Sequence, residues 1–415
     1  MIKISEFKLN NGLKVYYLFN PKSLISFVQL WYHIGSAQEE KEKNGIVHFL
    51  EHLFFKGTKE VPAEEFSRII QKFGGISNAF TSEEKVCFYE TIPTEKLELV
   101  LKMEADRMEN LNITEKMFLD ERKVILEEYK ERIQNQPIIK PLIKIRKEIF
   151  GEHPFSRDPA GNEETILNIN LEDVINLYND FFHPENCSII LVSSINIENI
   201  KILIEKYFGN IEKKGEKPKP VPPFKKPQIE YAEAKIPLKA SFFSKAYFLE
   251  KKEEHFFPLS ILHNFLGSQD NALMKKEIQE KKFFVLMAGT FPFFTNAGTL
   301  FLFFSMHLPF FKKYNFENEV ENILKNKIKT VLNREKFEEL KGRLLVQLSS
   351  SLHGTEKMGL YFADCIILRE NPNLFFEDLD KIRNLKIEDV FNTLDELINS
   401  PTCSVLLKGS IWQKK

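Results

Sequence analysis

The sequence predicts an α+β fold with two homologous domains, each a sheet covered by helices, joined by an extended linker. Three observations lead to this fold class. The 415 residues exceed what one ordinary hydrophobic core contains, so two domains of about 200 residues are expected. One segment recurs in each half, and a proline-rich stretch separates the halves. Both halves mix apolar strand-like runs with long helical patterns, which is typical of two-layer α+β domains.

The recurring segment combines a helix, a turn and a strand. Residues 172–195 (EDVINLYNDFFHPENCSIILVSSI) align with residues 388–411 (EDVFNTLDELINSPTCSVLLKGSI) at a constant offset of 216, which pairs Cys187 with Cys403. Each copy has the pattern of a helix, a proline-marked turn and an apolar strand. A match without gaps at half the chain length indicates duplication of a whole domain. Chance similarity of two helix–strand units is the alternative.

The stretch between the halves has the composition of a linker. Residues 212–228 (EKKGEKPKPVPPFKKPQ) contain five prolines and many lysines. Such a sequence resists helix formation and stays hydrated, so we predict an extended, solvated linker. The predicted domains are therefore residues 1–211 and residues 229–415.

Composition excludes several classes of function. The net charge is −1 and the isoelectric point is about 6.8, so neither a nucleic acid nor an acidic membrane surface is an expected partner. No apolar run reaches the roughly 18 residues that a membrane span needs. The four cysteines form no CxxC motif, which argues against a zinc ribbon or a redox site and suits a reducing compartment.

The amino terminus has the pattern of a hairpin. Residues 1–20 (MIKISEFKLNNGLKVYYLFN) alternate like a strand and turn at Asn11 and Gly12. They lack the continuous apolar core of a secretory signal peptide. We therefore expect a cytoplasmic protein, unless processing has already removed a leader.

Two histidines and a glutamate lie in one of the most apolar stretches of the first half, HFLEHLFFKGT (48–58). Asn44 as N-cap and Gly57 as C′ residue predict a helix of about three turns. His48 and His52 are four residues apart and Glu51 is three from His48, so the three side chains share one face. Two imidazoles at this spacing can bind Zn²⁺, and the carboxylate between them can take a proton from water. The spacing therefore predicts a catalytic zinc site that still needs a third ligand.

Two carboxylates compete for the third position on a predicted helix over 114–133, which Thr114 would cap. Glu127 has lysines on both sides, which predicts a solvated ion-pair face. Glu128 shares its side of the helix with Val124 and Ile125, where a carboxylate needs a partner such as zinc. We therefore predict Glu128 as the ligand.

A further carboxylate, Glu121, lies two turns before Glu128 on the same face. At 1.5 Å per residue the two are about 10 Å apart, which suits a contact of Glu121 with His52 or with the water rather than with the metal. We predict this supporting role in catalysis for Glu121. An ordinary carboxylate on the helix surface is the alternative.

These segments resemble the inverted-zincin metallopeptidases, the family of pitrilysin, insulysin and mitochondrial processing peptidase. HFLEHLFFKGT is similar to the family's HFLEHMLFKGT, and ERKVILEEYKE (121–131) to the segment with its distal glutamate ligand. HPFSRDPAGNEETI (153–166) is similar to a further family stretch. The resemblance implies zinc bound by His48, His52 and Glu128, with Glu51 as general base. It also implies that this chain is a short, two-domain, zinc-bearing subunit. A full peptidase of the family needs two homologous two-domain units, four domains in all, around an enclosed chamber.

A strand with a substrate role is also implied by the resemblance. GGISNAFTSEEKVCFYE (74–90) is similar to the family's G-x-x-N-A-x-T strand, to whose open edge the substrate peptide adds. Carried over to this chain, Asn78, Ala79 and Phe80 would bind peptide. Alternatively, Asn78 only shapes the start of a hairpin.

The second half departs from the family pattern. In the segment 267–289 (GSQDNALMKKEIQEKKFFVLMAG), Ile278 or Gln279 occupies the position of a substrate-binding arginine, and Val285 that of a tyrosine. No arginine occurs between residues 157 and 334. The resemblance therefore implies a heterodimer with a homologue that carries the arginine and the tyrosine, although a homodimer is possible.

Together, these observations predict a zinc endopeptidase subunit that hydrolyses peptides or unstructured segments of polypeptides. The alternative function is a non-catalytic scaffold or peptide-binding subunit. Bound zinc together with hydrolysis of an unstructured peptide would distinguish the two.

Overall fold

The computed structural model describes residues 2–213, 215–224, 226–267, 271–311 and 315–410. The strands of this described part are, in chain order, β1 Lys3–Lys8, β2 Lys14–Phe19, β3 Ile25–Tyr32, β4 Ile76–Thr81, β5 Val86–Pro93, β6 Cys187–Ser193, β7 Tyr231–Lys235, β8 Ser241–Leu249, β9 Val285–Phe294, β10 Thr299–His307 and β11 Thr402–Lys408. The α-helices are α1 Ile46–Leu53, α2 Glu65–Lys72, α3 Leu97–Asn110, α4 Glu115–Asn135, α5 Ile139–Phe150, α6 Glu163–Asn168, α7 Leu171–Phe181, α8 Ile197–Phe208, α9 Phe256–Leu266, α10 Phe316–Asn322, α11 Ile328–Val331, α12 Arg334–Ser351, α13 Thr355–Ala363, α14 Leu374–Asn384 and α15 Ile387–Asn399.

The chain forms two compact units, each built on one sheet, so the predicted α+β class is confirmed. The first unit contains the described residues of Met1–Gln136, Arg157–Val221 and Ser351–Phe375. The second contains those of Pro137–Ser156, Pro222–Ser350 and Phe376–Lys415. The predicted boundaries at 211 and 229 therefore do not delimit the compact units, because a segment of each half belongs to the other unit.

The exchanged segments carry equivalent helices. α5 begins at Ile139 and lies in the second unit, whereas α13 begins at Thr355 and lies in the first. The two starting residues differ by 216 positions, the offset of the recurring sequence. In both copies of that sequence a helix and a turn precede a strand, α7 with β6 and α15 with β11, as predicted. Residue 411, at the end of the second copy, lies outside the described residues. These equivalences support duplication of the domain.

The first sheet has the strand order β1-β2-β6-β3-β5-β4. β2 and β6 are parallel, and the other neighbours are antiparallel. β1 and β2 form the predicted hairpin, in which Gly12 has a φ of 97°. One face of the sheet packs against α1, α3, α7 and α8, and the other packs against α13. Because both faces are covered, the seven residues of β6 are all buried.

The second sheet has the order β7-β11-β8-β10-β9. β7 and β11 are parallel, and the remaining neighbours are antiparallel. α9 and α15 contact this sheet, and so does α5. All nine residues of β8 are buried, which is expected of a central strand with both faces covered.

A charged cluster is enclosed in the core of the first unit. Arg107 is fully buried, makes an ion pair with Glu104 and lies 3.3 Å from Glu90. Its guanidinium carbon is 3.8 Å from the centre of the Phe66 ring. Burial and the neighbouring Glu104 raise the pKa of Glu90 well above its usual range, although Arg107 acts against this effect. One guanidinium compensates the charge of one carboxylate, so removal of the arginine would leave Glu104 buried without a cation.

The predicted linker is only partly solvated. Its described residues have no regular helix or strand, and most are exposed. Phe224, however, is 4% exposed and packs edge-on against Phe150 at a ring distance of 5.4 Å. Its backbone amide donates to the carbonyl of Ala297 at 3.0 Å. The prediction of a linker that does not pack is therefore wrong at this phenylalanine, because a single aromatic side chain is enough to anchor an extended segment.

Two further features concern the environment of the chain. Cys87, Cys187 and Cys403 are buried free thiols, and Cys365 is buried as well. Across the described residues, no helix combines the length and the apolar character that crossing a membrane requires.

Candidate metal centre

The two histidines lie on α1, and a buried glutamate from the preceding loop caps the start of that helix. Glu39 accepts hydrogen bonds from the amides of Gly45 at 2.8 Å and Val47 at 2.9 Å. Backbone amides at the start of a helix have no partner within the helix. A carboxylate at this position also interacts favourably with the helix dipole. The cap therefore fixes the start of the helix that carries the histidines.

α1 is shorter than predicted, and its N-cap is Gly45 rather than Asn44. Asn44 donates its side-chain Nδ2 to Glu39 at 2.6 Å instead of accepting from the helix amides. Gly45 has a φ of 98°, a left-handed conformation that glycine adopts readily. The helix ends at Leu53, before Gly57, and its eight residues make about two turns. Two turns still hold the HxxEH residues on one face.

His48, His52 and Glu128 come together in the folded chain. One candidate ligand atom from each lies within 4.8 Å of the others. Nε2 of His52 is 3.4 Å from Oε2 of Glu128, and the centres of the two imidazole rings are 4.7 Å apart. Glu128 reaches the histidines because α4 packs against α1. The helix α4 starts as predicted, with the Thr114 side chain accepting from the amide of Met117 at 3.3 Å.

These residues fit a zinc ion. Bonds of about 2.1 Å in a tetrahedron separate ligand atoms by about 3.4 Å, which matches the 3.4 Å between His52 and Glu128. Burial lowers the pKa of His48 to about 4, so its imidazole is neutral at physiological pH, as a metal ligand must be. Nδ1 of His48 is buried without a hydrogen-bond partner among the described residues, so it is not a satisfied core histidine. Three ligands leave one position open, which is typical of catalytic zinc sites.

The two competing glutamates of α4 occupy different environments. Glu127 makes an ion pair with Lys130 at 2.9 Å, and its side chain is 74% exposed, as predicted. Glu128 is also half-exposed, and Val124, which we expected on an apolar side with it, is 51% exposed. The apolar-face argument for Glu128 was therefore wrong, although it selected the carboxylate that lies beside the histidines.

Glu121 contacts His52 directly. Its Oε1 is 2.9 Å from Nδ1 of His52, and its Oε2 is 2.8 Å from Nζ of Lys56. Burial would raise the pKa of Glu121, but the hydrogen bonds from His52 and Lys56 outweigh it and lower the pKa. The side chain is 6% exposed, which excludes an ordinary surface carboxylate. A carboxylate in this position fixes the tautomer and the orientation of the histidine ring, with Nε2 toward Glu128.

Glu51 lies on the same face of α1 and is 9% exposed. The hydroxyl of Thr81, the last residue of β4, donates to its Oε2 at 2.5 Å. Burial raises the pKa of Glu51, and the hydrogen bond from Thr81 acts against this effect. A carboxylate with a raised pKa is well suited to accept a proton near neutral pH. The arrangement therefore holds a carboxylate suited to accept a proton beside the candidate metal ligands.

β4, which carries the candidate substrate-binding residues, is an edge strand. Within the described part of the chain it pairs with β5 alone. Asn78 is exposed and Phe80 is 39% exposed, whereas Ala79 packs against the core. Phe80 also packs edge-on against Trp31 at a ring distance of 5.4 Å. The strand thus has an open edge, and the peptide-binding role of the three residues stays a prediction.

The residues in the positions of the family's arginine and tyrosine lie in the second unit. Ile278 is fully buried, and Gln279 donates its Nε2 to the carbonyl of Leu286 at 3.1 Å. Val285 is buried at the start of β9. Residues 268–270 of the same stretch lie outside the described residues. None of the three side chains can present a cation or a phenol hydroxyl to a substrate.

Three residues that shape the site were not singled out from the sequence. Thr81 ends the Asn-Ala-x-Thr motif, and that position was the available signal. Lys56 follows His52 by four residues, a spacing that places side chains on one side of a helical segment. Glu39 carries no local signal, because its hydrogen bonds form only when the loop folds back onto α1.

Comparisons with known proteins identify the family of this chain. Residues 14–147 match the family described as insulinase (peptidase family M16), and residues 168–344 match the peptidase M16 inactive domain. A Helicobacter pylori protein named zinc protease PqqE is 27% identical over 407 residues, or 96% of this chain and 91% of that protein. A Bacillus subtilis protein named uncharacterized zinc protease YmxG is 30% identical over 288 residues, or 67% of this chain and 68% of that protein.

A solved structure has the same architecture. The crystal structure of a protease from Helicobacter pylori covers 98% of this chain and 100% of its own, with a TM-score of 0.87 and 25% identity. The first of the two matched segments contains the HxxEH residues and Glu128. Sequence and fold thus agree, and the chain belongs to the insulinase family of peptidases, M16.

Proposed function

We propose that this chain is the zinc-bearing subunit of an endopeptidase that hydrolyses peptides or unstructured polypeptide segments. The convergence of His48, His52 and Glu128 beside the buried, hydrogen-bonded Glu51 supports this proposal. A non-catalytic scaffold, which is the alternative function, has no use for a buried carboxylate held beside three potential ligands.

The side chains divide the chemistry among them. Zinc held by His48, His52 and Glu128 would supply a Lewis acid that lowers the pKa of water and polarises a peptide carbonyl. Glu51 accepts the proton of the attacking water and then returns it to the leaving amine. Thr81 occupies Oε2 of Glu51 and thereby directs Oε1 to the water.

The open edge of β4 suits an extended substrate. A peptide that adds to this edge would satisfy main-chain groups of β4 and contact Asn78, Ala79 and Phe80. Only an unstructured segment can adopt the extended form, since a folded substrate already uses its main-chain hydrogen bonds. The proposed specificity for unstructured polypeptide follows from this requirement.

An assay of the zinc-loaded chain with an unstructured fluorogenic peptide tests the peptidase proposal. Glu51→Gln should keep the metal and lose about 10²–10⁴ in rate, the usual effect of removing a general base. Glu131→Gln, an exposed change on α4, is the matched control and should retain full activity. Stoichiometric zinc without hydrolysis, with or without a homologous partner, would favour the scaffold.

The proposed assembly is a heterodimer with an Arg- and Tyr-bearing homologue. Ile278 or Gln279 and Val285 cannot supply the donors that the family uses, and each missing donor to a transition state costs about 10²–10³ in rate. The purified chain should therefore be assayed alone and then mixed with such a homologue from the same source. We expect a gain of at least about 10² on mixing. Full activity of the chain alone, with no gain, would favour the homodimer.

The compartment that we propose is the cytoplasm. Cys87, Cys187 and Cys403 are buried free thiols, and unpaired thiols suit a reducing environment. Fractionation of the source cells, with marker proteins for each compartment, tests this assignment. Recovery of the protein outside the cytoplasmic fraction would contradict it.

A further inference from the structure

A cavity of about 430 Å³ lies in the second unit, between α5 and the face of the sheet formed by β8, β9 and β10. Its described lining is apolar except for Arg146, Ser244 and Ser305. Leu142, Met287 and Phe291 in this lining are 49%, 37% and 52% exposed, so the cavity is open to solvent and leaves apolar surface uncovered. An open, mostly apolar cleft with a few polar groups in its wall is typical of a ligand site. The lining therefore favours an apolar ligand.

The equivalent face of the first sheet provides an internal comparison. There α13 packs onto β3 and β6, with Phe362 fully buried. A Cβ atom on Gly359 would lie only 2.2 Å from the Phe27 ring, so the backbone of α13 lies directly on the sheet. The offset of 216 places Ile143 of α5 at the position of Gly359. In the first copy of the duplicated domain, the helix therefore fills the equivalent face of the sheet. The cavity is specific to the second copy.

The same offset places Arg146 at the position of the buried Phe362. A guanidinium therefore replaces a core phenylalanine on the side of α5 that faces the sheet. Its Nε donates to the carbonyl of Phe155 at 2.5 Å, which holds the side chain at the cavity wall. A guanidinium has five N–H donors arranged to bind a carboxylate through two parallel hydrogen bonds. Arg146 is the charged member of the described lining.

An apolar cavity with one cation in its wall matches a hydrocarbon chain that ends in a carboxylate. An engineered apolar cavity of about 150 Å³ binds benzene, so by proportion 430 Å³ accommodates roughly 17 carbon atoms. A peptide is a poorer match, since its main-chain N–H and C=O groups would lack partners in this lining. We infer that the second unit binds one long-chain fatty acid, with its hydrocarbon in this cavity and its carboxylate on Arg146.

Titration of the full chain with hexadecanoic acid, below the concentration at which it forms micelles, tests the inference. We expect saturable binding of one acid per chain and at least tenfold weaker binding of hexadecanol, which has no charge. Arg146→Met should weaken binding of the acid at least tenfold and leave the affinity for hexadecanol unchanged. Leu302→Phe, which fills part of the cavity, should weaken the binding of both the acid and the alcohol. Leu167→Phe, at a site 52% exposed in the first unit, is the matched control and should change neither.

Several outcomes would overturn the inference. They are the absence of saturable binding to wild-type chain, equal affinity for acid and alcohol, and undiminished binding in Leu302→Phe. Binding of an apolar peptide in place of the acid would also overturn it. Thermal unfolding of each variant identifies any that does not fold, and the comparison of acid with alcohol on wild-type chain needs no variant. Binding is measured without metal or peptide, so the result is independent of the proposed peptidase activity.

Discussion

Replacement of Glu121 by glutamine should weaken zinc binding without changing the three proposed ligands. The carboxylate accepts from two donors at once, Nδ1 of His52 at 2.9 Å and Nζ of Lys56 at 2.8 Å. A glutamine amide has one acceptor oxygen, and its nitrogen is itself a donor. In Glu121→Gln, either His52 or Lys56 must therefore face the amide nitrogen, which is a donor and cannot accept its hydrogen bond. The lysine cation binds the oxygen more strongly, so His52 loses its partner.

The size of the effect follows from the hydrogen bond that is lost. A hydrogen bond to a charged group contributes about 1.5–3 kcal/mol. If that stabilisation is lost from the orientation of His52, zinc affinity falls by about 10- to 100-fold. This range equals the usual effect of removing a carboxylate behind a metal-binding histidine. The affinity loss should be smaller than that of a variant lacking a direct ligand.

Competition with a chromophoric chelator at fixed pH measures zinc affinity directly. Glu131→Gln, exposed on the same helix, removes a carboxylate of equal charge and is the matched control. Circular dichroism and thermal unfolding should show that both variants remain folded. A zinc affinity of Glu121→Gln within twofold of wild type, or equal to that of Glu131→Gln, would refute the positioning role of Glu121.

Three further predictions follow from the described contacts. Glu128→Gln should lose zinc whereas Glu127→Gln keeps it, as measured by metal content after dialysis; the reverse result would move the ligand by one residue. Thr81→Val removes the hydrogen bond to the proposed base and should lower the hydrolysis rate about 10- to 100-fold with zinc retained; an unchanged rate would contradict a positioning role. Arg107→Met leaves the buried carboxylate of Glu104 without its cation and should lower the free energy of unfolding by about 3–5 kcal/mol in urea denaturation. Arg68→Met, at a side chain 75% exposed, is its control, and equal losses would contradict this account.

The sequence alone was sufficient for features that repeat over short distances. The HxxEH spacing places His48, Glu51 and His52 on one face, because 3.6 residues per turn is a property of any α-helix. The same periodicity relates Glu121 to Glu128 on α4, seven residues apart. The duplication was also visible, since a constant offset needs no knowledge of packing. These predictions hold because local backbone geometry determines them.

Tertiary structure decided which of these elements meet. α4 packs against α1, and this contact brings Glu128 to the histidines although Val124 on the same helix is exposed. Glu39 caps the start of α1 from outside the helix, and Thr81 reaches Glu51 from a strand. No local pattern encodes such contacts, because they depend on how the intervening loops close.

The exchange of α5 and α13 between the units is likewise invisible in the chain order. Each helix has an apolar side that could cover either sheet, and the sequence pattern of a helix does not specify which sheet it covers. The same holds for Phe224, which anchors a segment whose composition predicts only hydration. The cavity beside Arg146 has the same origin, because its volume depends on how closely α5 approaches the sheet. Composition and periodicity determine which surfaces must be buried, and only long-range packing determines the partners that bury them.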